Sequence, residues 1–141
     1  MPFLQFHYHF VWGTKNREPL IGAALAPRLH EVIAAKAREL GAHVYGVGGV
    51  EDHVHLVASV PPALAVSRFV AQVKGVSSHW VNHQPDARAG FRWQAEYGAT
   101  TFSTRQLARV VRYVCRQREH HDRGPLVALF ERVSSDISEP Q

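Results

Sequence analysis

The chain has 141 residues, 45% of them hydrophobic, with a formal net charge of +4 and a pI near 9.6. This is one domain's worth of residues with enough apolar side chains for a core, and no apolar run is long enough to span a membrane. The single Cys115 excludes an internal disulfide and suits a reducing cytoplasm, which is the expected location, as residues 1–5 show no basic and apolar regions of a signal peptide. The basic excess permits a polyanionic partner. Only Lys15, Lys36 and Lys74 are lysines, so the positive charge is mostly arginine. Arginine suits bidentate phosphate contacts, but a coding bias toward it explains the composition equally well.

Residues 6–12, aromatic and β-branched, predict a first strand. It carries an H-x-H pair, His7 and His9, read as a decoy for metal binding. A polar loop with the cations Lys15 and Arg17 follows. Residues 23–40 predict a helix. Leu25, Leu29, Val32, Ile33 and Leu40 recur at helical spacing, Lys36 sits at the margin of the stripe, and Gly41 is the C-cap residue. Residues 43–50 predict a second strand, whose glycines point to a bulge or a close backbone approach. A short Glu51-Asp52 link joins it to a third strand in a hairpin.

That third strand, His53-Val54-His55-Leu56-Val57-Ala58-Ser59-Val60, is the centre of the chain. Val54, Leu56, Ala58 and Val60 share one face and belong on a core. His53 and His55 share the other, roughly 6.6–6.8 Å apart along the backbone. Two imidazoles at that spacing can lean onto one metal ion; solvated or hydrogen-bonded histidines are the alternative. Pro61-Pro62 ends the strand.

Residues 65–81 predict a second helix, burying Val66, Phe69, Val70, Val73, Val76 and Trp80. Its Lys74, Ser77 and Ser78 offer a cation and two hydroxyls to a phosphate, or simply a solvated edge. A loop over 83–92 leads to a fourth strand over 93–102, with Trp93, Ala95, Tyr97 and Ala99 on one face. Ser103 or Thr104 then caps a third helix running to about residue 121. Its buried stripe is Leu107, Val110, Val111 and Val114. At about 100° per residue, Tyr113 and Gln117 border that stripe on a shared face. Arg105, Arg109, Arg112, Arg116 and Arg123 lie opposite, as a nucleic-acid contact or a solvated face. The tail, 134–141, is polar and expected to fray.

The order strand, helix, strand, strand, helix, strand matches a ferredoxin-like split βαβ unit. That is an α+β fold with a four-stranded antiparallel sheet, followed here by the tyrosine helix.

The set of segments resembles the single-tyrosine HUH transposases of small bacterial insertion sequences, the TnpA type. The matching residues are Tyr8-His9-Phe10-Val11-Trp12-Gly13-Thr14-Lys15-Asn16-Arg17, Asp52-His53-Val54-His55-Leu56 with Pro61-Pro62, Val73-Lys74-Gly75-Val76-Ser77-Ser78, and Tyr113-Val114-Cys115-Arg116-Gln117-Arg118-Glu119-His120-His121. They fall in family order and span nearly all of residues 6–121. The resemblance implies that Tyr113 is the nucleophile and that His53, His55 and Gln117 are ligands of a divalent metal, magnesium or manganese. It also implies a homodimer, with each active site in some members shared between subunits, and single-stranded DNA with hairpins as substrate. The product it implies is a 5′-phosphotyrosine with a free 3′-hydroxyl.

Chemistry supports such a set. A phenol with a pKa near 10 is ionised in only roughly one molecule in a thousand at pH 7, so it needs electrostatic help to attack phosphorus. Two imidazoles and an amide are neutral and leave the full double charge of a metal facing the phosphate. Magnesium prefers oxygen ligands and imidazole favours later transition metals; of the two ions the resemblance implies, manganese tolerates both ligand types and is the better expectation. The competing readings are a domesticated or non-catalytic hairpin-binding domain and an HUH nickase.

Overall fold

The computed structural model describes residues 6–87 and 90–116. The elements are β1 (His7–Gly13), α1 (Leu25–Glu39), β2 (His43–Val50), β3 (His53–Ser59), α2 (Val66–Asn82), β4 (Gly98–Phe102) and α3 (Leu107–Cys115). The sheet has the order β2-β3-β1-β4, with every neighbouring pair antiparallel. This is the ferredoxin-like plan expected from the element order. Gln117, the 119–121 and Arg123 positions, and the 134–141 tail lie outside the described residues.

Alternation along the inner strands sorts their side chains to two faces. Phe10 and Trp12 of β1 and Val54, Leu56 and Ala58 of β3 face one way. They meet Leu29 and Ile33 of α1 and Phe69, Val70 and Val73 of α2, and all of these are buried. This layer is the main core. α1 buries Leu25, Leu29, Ile33 and Ala37, each four residues apart. Gly41 ends it with φ +94°, a left-handed conformation that costs glycine nothing.

The opposite face carries His7 and His9 of β1 and His53, His55 and Val57 of β3. Among the described residues α3 covers it, with Val110, Tyr113 and Val114. A glycine run in β2 makes this possible. A methyl group on Gly48 would overlap the main-chain carbonyl of Val114, so the helix backbone rests directly on the strand backbone. The strand is also irregular, with its register slipping between Val44 and Gly46.

The first strand is interior, flanked by β3 and β4, as the ferredoxin-like plan requires. One expectation changes. The fourth strand is shorter than 93–102. Residues 93–97 form a strap beside the end of β1, with an isolated bridge between Thr14 and Trp93. The Gln94 N–H donates to Gly13 O of β1 at 2.9 Å. The Gln94 and Glu96 carbonyls accept from Lys74 Nζ at 2.6 and 3.2 Å.

Candidate active site

The site is built on the histidine face, where β1 and β3 lie side by side. His53 pairs across the sheet with Gly13, and His55 with Val11. Both imidazoles are buried, and their ring centroids are 5.0 Å apart. Each has its Nδ1 engaged. His53 Nδ1 lies 2.7 Å from Asp52 Oδ1 and 3.3 Å from an Arg17 guanidinium nitrogen. His55 Nδ1 lies 2.6 Å from His9 Nε2. A second hydrogen-bonding group on one ring nitrogen fixes the ring and directs the other nitrogen toward any ligand. The donor set therefore fits a divalent ion approached through Nε2 of both rings. Among the described residues no cluster of three His, Cys, Asp or Glu side chains could hold an ion. A third ligand would come from elsewhere, and Gln117 lies outside the described residues.

Asp52 sets the polarity of His53. Burial pushes its carboxyl up. Hydrogen bonds from His53 and Arg17, with their positive charges, more than offset this and hold it below the usual carboxylate value. An ionised Asp52 accepts a hydrogen bond from Nδ1–H of His53. Arg17 reaches this pair from a constrained loop. Asn16 and Arg17 both adopt left-handed backbone, with φ of 58° and 54°. The Arg17 N–H donates to Thr14 O at 3.0 Å, and Thr14 Oγ1 donates to Glu18 O at 2.7 Å.

The two histidines of β1 divide. His7 is held by Ser59 Oγ at 3.1 Å and Thr104 Oγ1 at 2.9 Å, and it stacks on Phe102. It ties the start of the tyrosine helix to the sheet. His9 belongs to the site, through its bond to His55 and a stacked ring contact at 4.9 Å. Nothing in residues 6–12 taken alone separates them. The adjacency of β1 and β3, which the ferredoxin-like order implies, is the signal that would have done so.

Tyr113 is buried within the stripe of α3, between Val110 and Val114, and not on its border. Its ring packs edge-on against His55 at 5.9 Å and His9 at 6.5 Å between centroids. All three side chains belong to one chain. The Gly48 contact with Val114 sets how closely the helix, and so the phenol, approaches the histidines.

The proposed phosphate cradle on α2 is otherwise occupied. Ser77 is fully buried; its hydroxyl donates to Val73 O at 2.7 Å and accepts from Trp93 Nε1 at 3.0 Å. Ser78 Oγ donates to Gly75 O at 3.2 Å. Lys74 is half-buried, bound to the strap carbonyls, and burial pushes its ammonium below the ordinary lysine value. Lys74 and Ser77 thus anchor the 93–97 strap to α2. Lys15 and Arg17 are exposed at the site end of β1, and Arg105, Arg109, Arg112 and Arg116 are exposed on and beside α3.

Comparison with known proteins follows the same lines. The family described as Transposase IS200 like matches residues 3–117. The ISDra2 transposase TnpA of Deinococcus radiodurans is 27% identical over 120 residues, covering 82% of this chain and 86% of the relative. Two solved structures share the fold. A crystal structure of a Deinococcus radiodurans R1 protein described as a transposase superposes with a TM-score of 0.65 at 24% identity, covering 80% of this chain and 91% of the other. A REP-associated tyrosine transposase bound to a REP hairpin gives 0.62 at 14% identity, covering 86% and 72%.

Proposed function

Since this chain belongs to the IS200-like transposase family, we propose that it cleaves and rejoins single-stranded DNA at the ends of an insertion sequence, with Tyr113 as nucleophile. The phenolate oxygen attacks the scissile phosphorus. A Tyr–O–P bond forms, the P–O3′ bond breaks, and the proton that the phenol gives up is balanced by the one the departing oxygen takes up to become a free 3′-hydroxyl. Attack by that hydroxyl or another reverses the step and needs no ATP. The observation that carries this reading is the packing of the Tyr113 ring against His55 and His9 in the same chain.

His53, His55 and Gln117 are the proposed ligands of a manganese or magnesium ion. When bound, such an ion supplies Lewis-acid polarisation of a phosphate oxygen. Asp52 and His9 orient the two imidazoles through Nδ1. Burial of the phenol under α3 keeps competing water away from the attacking oxygen.

DNA hairpins are the proposed recognition element, in keeping with the hairpin-bound relative. The exposed Lys15, Arg17, Arg105, Arg109, Arg112 and Arg116 would meet the phosphate backbone. A homodimer joined through an outer strand, β2 or β4, completes the proposal, because unpaired strand edges are the natural place for a second copy to add.

A labelled single-stranded oligonucleotide carrying the hairpin and flank beside the gene tests this. On a denaturing gel the native protein should give a covalent adduct. Tyr113→Phe should give none while binding the hairpin with nearly native affinity. Hairpin binding by the native protein with no adduct would favour the non-catalytic reading. An adduct that persists in the variant would move the chemistry to another residue.

A further inference from the structure

Gly13 closes β1 directly opposite His53 and leaves the histidine face bare at that point. A methyl carbon added there would stand 2.6 Å from Gln94 Oε1 and 2.9 Å from Arg17 Cδ. The amide of Gln94 and the stem of Arg17 therefore lie across naked backbone, beside His53. Gln94 is fixed there through its main chain, by the N–H bond to Gly13 O and by the carbonyl's bond from Lys74 Nζ. Among the described residues its carboxamide takes no hydrogen bond, and the residue is only half-buried. A carboxamide whose backbone is clamped at this point, with its own N–H groups uncommitted, is a donor available to a ligand beside His53. Arg17, held in left-handed backbone and bridged to Asp52 at 3.2 Å, borders it.

We propose that Gly13, Arg17 and Gln94 form a shelf beside His53 that seats the DNA backbone, with the Gln94 carboxamide N–H donating to a phosphate oxygen of the bound strand. Arg17 contributes charge to this contact, and Gln94 contributes direction without further charge. Gly13 supplies the space, since any side chain at position 13 pushes the other two away. The assignment rests on the transposase reading and adds to it a residue from the 93–97 strap.

Fluorescence anisotropy of the same labelled oligonucleotide, with chelator present so that no metal contributes, measures this contact. Gln94→Ala should weaken binding roughly tenfold, the scale of one hydrogen bond to a charged group. Gln94→Glu keeps the shape but repels phosphate, so it should bind more weakly than Gln94→Ala at low salt and converge on it at high salt. Gly13→Ala should cost about as much as Gln94→Ala alone, yet less than roughly twofold in the Gln94→Ala background, because both changes remove one contact. The melting temperature checks folding, and the two Gln94 variants carry the test if Gly13→Ala is unstable. The loss should be the same for different flanking bases; a loss confined to one base would overturn the phosphate assignment. Native DNA binding with both Gln94 variants unchanged would overturn this inference alone. A native protein that bound no DNA would overturn the transposase reading and the shelf with it.

Discussion

The two faces of the sheet are built on opposite principles. One is covered by α1 and α2 and filled with Phe10, Trp12, Leu56, Ile33 and Phe69, all buried among apolar neighbours. Among the described residues the other is covered by α3 and holds four buried histidines. The first face is where apolar burial stabilises the fold, at roughly 25 cal/mol per Å² removed from water. The second spends much of its buried area on imidazoles, which need partners to offset their desolvation. It finds them in Asp52, Ser59, Thr104 and one another. The lesson is that, among the described residues, α3 is held by a small apolar cluster around Val57 and by its close fit on Gly48, so small changes there should alter chemistry more than folding.

The sharpest way to break this contrast is Gly48→Ala. The added methyl would strike main-chain atoms of Val114, so α3 must shift and carry Tyr113 with it. A misplacement of about 1 Å can cost a hundredfold in rate, and we expect at least that loss of adduct formation. The α1–α2 core is untouched, so the far-ultraviolet circular dichroism should stay native. Native adduct rates in this variant would show that the helix position does not control the phenol.

Next in size is the division between His7 and His9. Partners behind a ligating histidine typically change metal affinity by 10–100-fold when removed. His9→Ala takes away the group on His55 Nδ1 and should raise the manganese concentration needed for half-maximal cleavage by about that factor. His7→Ala should instead lower the melting temperature and leave the metal requirement unchanged. Manganese titration of cleavage in both variants checks the split, and equal shifts would erase it.

Much of the first face was legible in the sequence, because alternation along 53–60 and four-residue spacing along α1 are direct consequences of burial. The histidine face was less so. His9 is tied to His55 only across the sheet, so neither strand's own pattern reveals the bond. Tyr113 falls inside the buried stripe because α3 lies flat on Gly48, a packing angle that helix periodicity does not contain. Lys74 and Ser77 looked like phosphate ligands because a cation and hydroxyls on one helix are chemically ambiguous. Their carbonyl and indole partners sit on a strap whose alternating Trp93, Ala95 and Tyr97 imitate a strand.

Ser77→Ala puts that correction to a smaller test. It would leave the buried Trp93 indole N–H without its acceptor, at a cost of about 1–3 kcal/mol in stability. Denaturant unfolding should show the loss, whereas affinity for the hairpin oligonucleotide should not move. A weakened affinity with native stability would return Ser77 to the DNA-binding set.

The smallest expected effect is none at all, and it concerns whether one chain holds a complete site. Only residues 103–106 separate β4 from α3, a reach of at most about 14 Å when fully extended. That link is folded into a tight turn, with the Gln106 N–H donating to Ser103 O at 3.0 Å. It is pinned to the sheet by the bond between Thr104 Oγ1 and His7 Nε2. α3 is thus tethered over its own β3, and Tyr113 meets the His55 of its own chain. If two copies associate, co-refolding Tyr113→Phe with His53→Ala should recover no cleavage, because every chain carries its own defect. Restored adduct in the mixture, with heterodimers confirmed by mass, would mean that α3 crosses to the partner in the working assembly. The Thr104→Ala change, which cuts the tether to His7, should then make that exchange easier.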